Sequence, residues 1–176
     1  MITYLIRHGS TEYTQMGISQ GQLDIPLSET GVLEAEKVMT EVHNLPIKII
    51  YSSPLLRCRQ TADIINQGLD LPLVFDDRLM EMFLGIRQGT DFHKWSAEDR
   101  ERFRNNPEYY GAESNEHFYS RVSSFYEEVL ERGQSALIVS HGGVFKNIYR
   151  YIHGIDDFVT KFRTPDPCEI FQLQEL

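Results

Sequence analysis

Short, uninterrupted apolar runs recur along this chain, and segments with a helical period separate them. Ile2-Thr3-Tyr4-Leu5-Ile6, Ile47-Lys48-Ile49-Ile50-Tyr51 and Ala136-Leu137-Ile138-Val139-Ser140 are rich in β-branched residues and too short for buried helices. They read as buried strands over 2–6, 47–51 and 135–140. Pro72-Leu73-Val74-Phe75 suits a further short strand, and the alternation over 168–173 a last one. Between them, Ser28 can cap a helix over 29–43 that keeps Val32, Ala35, Val38 and Val42 on one face. Ser53-Pro54 reads as an N-cap followed by proline, opening a helix through about Asn66. Further helices are expected over 94–104, 115–132 and 143–152, the second with a stripe of Phe118, Val122, Phe125 and Val129. Strands that are apolar throughout need both faces covered, so this alternation predicts an α/β three-layer sandwich with a mostly parallel central sheet flanked by helices. Residues 79–93 read as loop, and about 85–125 as a small helical lid insertion within one domain spanning 1–176.

Composition narrows the classes. The chain has 176 residues, 41% hydrophobic and 24% charged, which is a soluble globular composition with enough chain for one core. No apolar run approaches the roughly 18 residues that span a bilayer, so no membrane partner is expected. The N-terminus lacks a basic segment leading into an apolar one, and the expected location is cytoplasmic. Cys58 and Cys168 make neither a disulfide framework nor a CxxC pair. The formal net charge is -9 and no basic stripe is present, which argues against nucleic acid as a partner. An anionic substrate would meet a repulsive average field, so a local cluster of arginine and histidine would have to overcome it.

Such a cluster is legible. Arg7-His8-Gly9 directly follows the first strand run, and His141-Gly142-Gly143 directly follows the run ending at Ser140. In open α/β sheets, ligands bind outside the carboxyl ends of strands. One strand-end histidine is most simply a structural residue; two, each followed by glycine, point to a phosphate site in which one imidazole attacks. The two histidines lack HExxH spacing and sit beside arginines that would repel a cation. Neither a metal nor another cofactor is expected.

Six ordered segments resemble the histidine phosphatase superfamily, also called the phosphoglycerate mutase-like family. They are Arg7-His8-Gly9-Ser10-Thr11-Glu12, the stretch from Gly21 to Gly31, Ser52-Ser53-Pro54-Leu55-Leu56-Arg57-Cys58-Arg59-Gln60-Thr61-Ala62, Leu79-Met80-Glu81 with Gly85, Gly111-Ala112-Glu113-Ser114, and Val139-Ser140-His141-Gly142-Gly143. The resemblance implies that His8 attacks phosphorus through a neutral ring nitrogen while its other nitrogen donates to a backbone carbonyl. It implies that Arg7 and Arg57 hold the non-bridging oxygens, with His141 as a further donor if protonated. Glu81 matches the position of the acid that protonates the leaving group, and Glu113 is a rival read as a site-rim element. Ser10, Thr11, Thr14, Gln20, Gly21 and Gly142 lie on segments expected to close over phosphate. Thr14 stands where many relatives carry asparagine.

The implied activity is hydrolysis of a small phosphomonoester through a phosphohistidine. A phosphoglycerate mutase uses the same core, and a silent phospho-ligand-binding protein is a third reading. Across the lid, Lys94, Arg100, Arg102 and Arg104 are outnumbered by Asp91, Glu98, Asp99, Glu101, Glu108, Glu113 and Glu116. That balance, with the short chain, argues against a bisphosphate-enclosing mutase. Substrate identity and oligomeric state are not legible, and specificity is expected within about 84–118.

Overall fold

A computed structural model of the chain describes residues 1–154 and 163–173. At its centre lies a sheet of β1 (Thr3–Arg7), β2 (Ile49–Ser52), β3 (Leu73–Phe75), β4 (Ala136–Ser140) and β5 (Ile170–Gln172), in the order β3-β2-β4-β1-β5. Among the described residues all pairings are parallel except β1 with β5. Six α-helices accompany the sheet among those residues: α1 (Glu12–Met16), α2 (Glu29–Val42), α3 (Leu56–Ile65), α4 (Ala97–Asn105), α5 (Asn115–Arg132) and α6 (Gly142–His153). Side chains alternate across each strand, so neighbouring residues enter different cores. Tyr4, Ile6, Ile50, Leu137 and Val139 pack with Ala35 and Val38 of α2 and Ala62 and Ile65 of α3. Leu5, Tyr51 and Ile138 pack with Val122 and Phe125 of α5 and Phe145 and Ile148 of α6. The chain folds as the expected three-layer α/β sandwich with a mostly parallel sheet.

Three local differences from the sequence reading bear on the site. Residues 12–16 form α1, a helix that no pattern in the sequence announces. Thr11 caps it and Thr14 reciprocates, in a capping box with threonine where glutamate or glutamine is usual. The helix after Pro54 starts late, at Leu56 behind Leu55, and Ser53 is not its cap. The Ser53 hydroxyl instead lies 2.9 Å from His141 Nε2. The Leu56 amide donates to Asp24 Oδ1 at 2.6 Å, so a loop 32 residues away closes this helix end. Finally, α4 begins at Ala97 because Ser96 caps it, accepting from the Asp99 amide, while Trp95 stays extended and buried.

The start of α2 sits directly on the backbone that follows His8. Ser28 caps that helix, as expected, and its amide and hydroxyl both donate to the Ser10 carbonyl, at 2.9 and 3.1 Å. A Cβ on Gly31 would lie 2.0 Å from that same carbonyl oxygen. Only glycine permits this approach. No helix among the described residues is long and apolar enough to cross a membrane.

Candidate active site

β1 and β4 are parallel neighbours with Arg7 opposite Ser140, so the residues that follow, His8 and His141, leave the sheet side by side. Their ring centroids are 5.2 Å apart and both side chains are buried. His8 Nδ1 lies 2.8 Å from the Gly9 carbonyl oxygen. A carbonyl can only accept, so Nδ1 carries the proton and Nε2 the lone pair. Arg57 Nε donates to that Nε2 at 3.3 Å. Burial, and then the charges of Arg57 and Arg7, hold the His8 imidazole well below the ordinary histidine range.

Arg57 is the hub. Its guanidinium is almost fully buried and reaches both imidazoles and the loop that faces them. Nη1 donates to the Leu23 carbonyl at 2.8 Å and Nη2 to the Gly21 carbonyl at 2.7 Å. Nη2 also lies 3.2 Å from His141 Nδ1, which therefore accepts. His141 is accordingly neutral here, and burial followed by the charge of Arg57 pushes its imidazole well below the ordinary range. It is fully buried and does not line the cleft, although its neighbours Gly142 and Gly143 do. Cys58 Sγ lies 3.4 Å from its Nε2, and burial raises that thiol to about 12, so it stays protonated.

A cleft of about 800 Å³ opens over these groups. Arg7, His8, Arg57 and Glu81 all line it, with Thr14, Gln20 and Gly21. Arg7 Nη1 donates to the Pro165 carbonyl at 2.9 Å, but its Nε is buried without a partner. The Glu81 carboxylate accepts from the amides of Met82 and Gly143, at 2.9 and 3.1 Å. A Cβ at position 143 would lie 2.1 Å from Glu81 Oε1, so glycine is what lets α6 receive this side chain.

Besides His141, the structure leaves two more of the expected residues, Ser10 and Thr11, off the cleft wall. The Ser10 hydroxyl and amide are both taken by Glu34, at 2.8 and 2.7 Å. Thr11 is buried as the cap of α1 and donates to Gln20 Oε1 at 3.0 Å. Glu113 lies away from the cleft too. Burial alone would raise its carboxyl, but bonds from Arg121 and His117 outweigh that and hold it below the usual carboxylate range.

Arg121 is the residue that sequence reading missed. It forms a two-pronged ion pair with Glu113, at 2.7 and 2.9 Å. Its Nη1 donates to the carbonyls of Arg78 and Met80, both at 2.7 Å, and Nη2 to that of Glu81 at 3.1 Å. Gln22 Nε2 donates to the same Glu81 carbonyl at 3.0 Å. The backbone carrying Glu81 is thereby tied to both α5 and the Gly21 loop. The sole sequence signal was an arginine beside the apolar stripe of α5, three residues after Phe118.

Residues 3–174 match the family model of the histidine phosphatase superfamily (branch 1). The chain belongs to this family. Phosphoserine phosphatase 1 of Hydrogenobacter thermophilus is 33% identical over 165 residues, covering 86% of this chain and 76% of that one. The alpha-ribazole phosphatase structure from Shigella flexneri is 27% identical with a TM-score of 0.77, over 88% of this chain and 81% of its own. A phosphoglycerate mutase structure from Thermus thermophilus is 25% identical with a TM-score of 0.76, over 98% and 92%. This member of the histidine phosphatase superfamily thus resembles both hydrolases and a mutase. Among its described residues, no group of three or more His, Cys, Asp and Glu side chains could hold a metal.

Proposed function

We propose that the chain is a metal-independent phosphomonoesterase that hydrolyses a small phosphorylated metabolite through a phosphohistidine on His8. One observation carries the reading: His8 lines the cleft with its lone pair on Nε2, beside the buried, unpartnered N–H of Arg7. An unpaired buried donor is costly, and a phosphoryl oxygen is an acceptor of the right charge to satisfy it. In the first step His8 Nε2 exchanges the bond from Arg57 Nε for the N–P bond as the P–O bond to the leaving group breaks, and that Arg57 N–H turns to a phosphoryl oxygen. The electron pair goes to the leaving oxygen, which takes a proton from Glu81. In the second step water attacks phosphorus and gives its proton to Glu81, and the N–P electron pair returns to Nε2. Arg7 and Arg57 provide the fixed positive charge that balances the transferring group throughout.

The test is a rapid quench with a phosphomonoester in excess EDTA. It should trap phosphate that is acid-labile and base-stable on His8, and His8→Ala should lower turnover at least about a thousandfold. An acid-stable phosphoester, or a stoichiometric metal requirement, would overturn the mechanism. An NMR time course in which 3-phosphoglycerate becomes 2-phosphoglycerate with negligible free phosphate would replace the hydrolase with a mutase.

A further inference from the structure

The lid is acidic by count but not on the side that faces the cleft. α4 presents Arg100, Phe103 and Arg104 to the cleft, at the i, i+3 and i+4 spacing of one helical face. α6 presents Lys146, Asn147 and Arg150 to the same cleft, again on one helical face. The lid carboxylates are turned elsewhere: Asp99 takes the Arg87 guanidinium and the Tyr110 hydroxyl, Glu98 pairs with Arg102, and Glu113 pairs with Arg121. Glu81 is the one carboxylate on the cleft wall among the described residues, and two amides already hold it. A chain with a formal net charge of -9 therefore gives its cleft a strongly basic lining.

The α4 arginines are placed for a ligand rather than for an ion pair within the protein. No carboxylate among the described residues bonds to Arg100 or Arg104. Arg100 is held in position by its Nη2, which donates to the carbonyls of Phe92 and His93 at 3.3 and 3.2 Å, and by stacking 4.7 Å over the Phe92 ring. Its Nε is buried and has no partner.

We propose that Arg100 and Arg104, with the basic face of α6, form a second anion subsite. The substrate would then be a phosphomonoester bearing another negative group, a carboxylate or a second phosphate. Two guanidinium groups lining one cleft bind such a group by charge-assisted bonds, and the basic lining concentrates it against the repulsive average field. This inference rests on the phosphatase reading, because it presumes that one anion of the substrate sits at His8.

The decisive comparison uses two phosphomonoesters with the same three-carbon skeleton, 3-phosphoglycerate and glycerol 3-phosphate, which differ in one carboxylate. The wild-type ratio of their kcat/KM values should favour 3-phosphoglycerate by about tenfold or more. Arg100→Gln/Arg104→Gln should bring that ratio towards one, mainly through KM, and added salt should lower it in the wild type. Fructose 1,6-bisphosphate against fructose 6-phosphate repeats the comparison with phosphate as the second anion. A wild-type ratio near one for both pairs overturns the subsite and leaves the phosphatase standing. So does a ratio that the double variant leaves unchanged. If no ester is hydrolysed, the phosphatase reading fails instead, and calorimetric binding of the same pairs to the wild type decides the subsite on its own: equal affinities within each pair overturn it.

Discussion

Glu81 is defined by what its two carboxylate oxygens touch, the amides of Met82 and Gly143. The side chain is held against the cleft from two directions and cannot swing away without stranding both donors. Replacing it with glutamine keeps the shape but puts an NH₂ against one of those amides and removes the transferable proton. Glu81→Gln should slow an alkyl phosphate by about a hundredfold or more, while p-nitrophenyl phosphate, whose leaving group departs without protonation, loses about tenfold or less. Steady-state phosphate release on the two substrates measures this. Equal losses would remove Glu81 from proton transfer, and a selective loss in Glu113→Gln would move the role there. The Arg121 ion pair argues against that second outcome, because Glu113 is committed to holding a neighbouring segment.

Around the catalytic groups two helices contribute their amino ends. The amino end of α3 is closed by Asp24 from the loop whose carbonyls Arg57 also holds, and the amino end of α6 receives Glu81. α5 contributes from its flank through Arg121, which binds three carbonyls of the segment leading to Glu81. Arg121→Met would free those carbonyls and leave the nearly buried Glu113 carboxylate without its partner. The expected cost is about 2–4 kcal/mol in unfolding free energy. Activity should fall with the leaving-group dependence of Glu81→Gln, but by a smaller factor of about tenfold on the alkyl ester. Denaturant titration and the same two substrates check both statements. The double variant with Glu113→Gln should be destabilised by less than the sum of the single changes. A loss of equal size on both substrates would make Arg121 a stability residue only.

At the scale of the whole molecule, the two buried histidines couple folding to pH. Both are held well below the ordinary histidine value in the folded state, by burial first and Arg57 second. The unfolded chain therefore binds protons that the native state refuses, and stability is fully present above about pH 6.5 and lost as pH falls below it. Each histidine contributes a slope that grows towards about 1.4 kcal/mol per pH unit as pH falls through that window. Urea titrations between pH 6.5 and 5.5, above the range where carboxylates titrate, should show the decline, and His8→Ala should reduce its slope. An unchanged midpoint across that interval would mean that the imidazoles take up protons without cost.

The division between what could be read and what could not follows the range of the physics. Strand runs such as Ala136–Ser140, the Ser28 cap and the Phe118 stripe are local patterns, because burial and capping act on residues within one element. They carried the α/β sandwich, and the strand-end motifs marked the groups that now line or back the cleft. The strand order β3-β2-β4-β1-β5 was not legible, and it is what sets His8 beside His141. Ser53 reads as a helix cap in the sequence because its competing partner, His141, is 88 residues away. The lid's charges average to acidic along the chain, yet the winding of α4 turns Arg100 and Arg104 towards the cleft and leaves the acids paired elsewhere. Arg121 had only its place beside a helical stripe, and its role came from carbonyls about 40 residues earlier. Periodicity fixes which residues turn inward; which donor meets which acceptor is decided only when distant elements pack and each buried polar group has to find a partner.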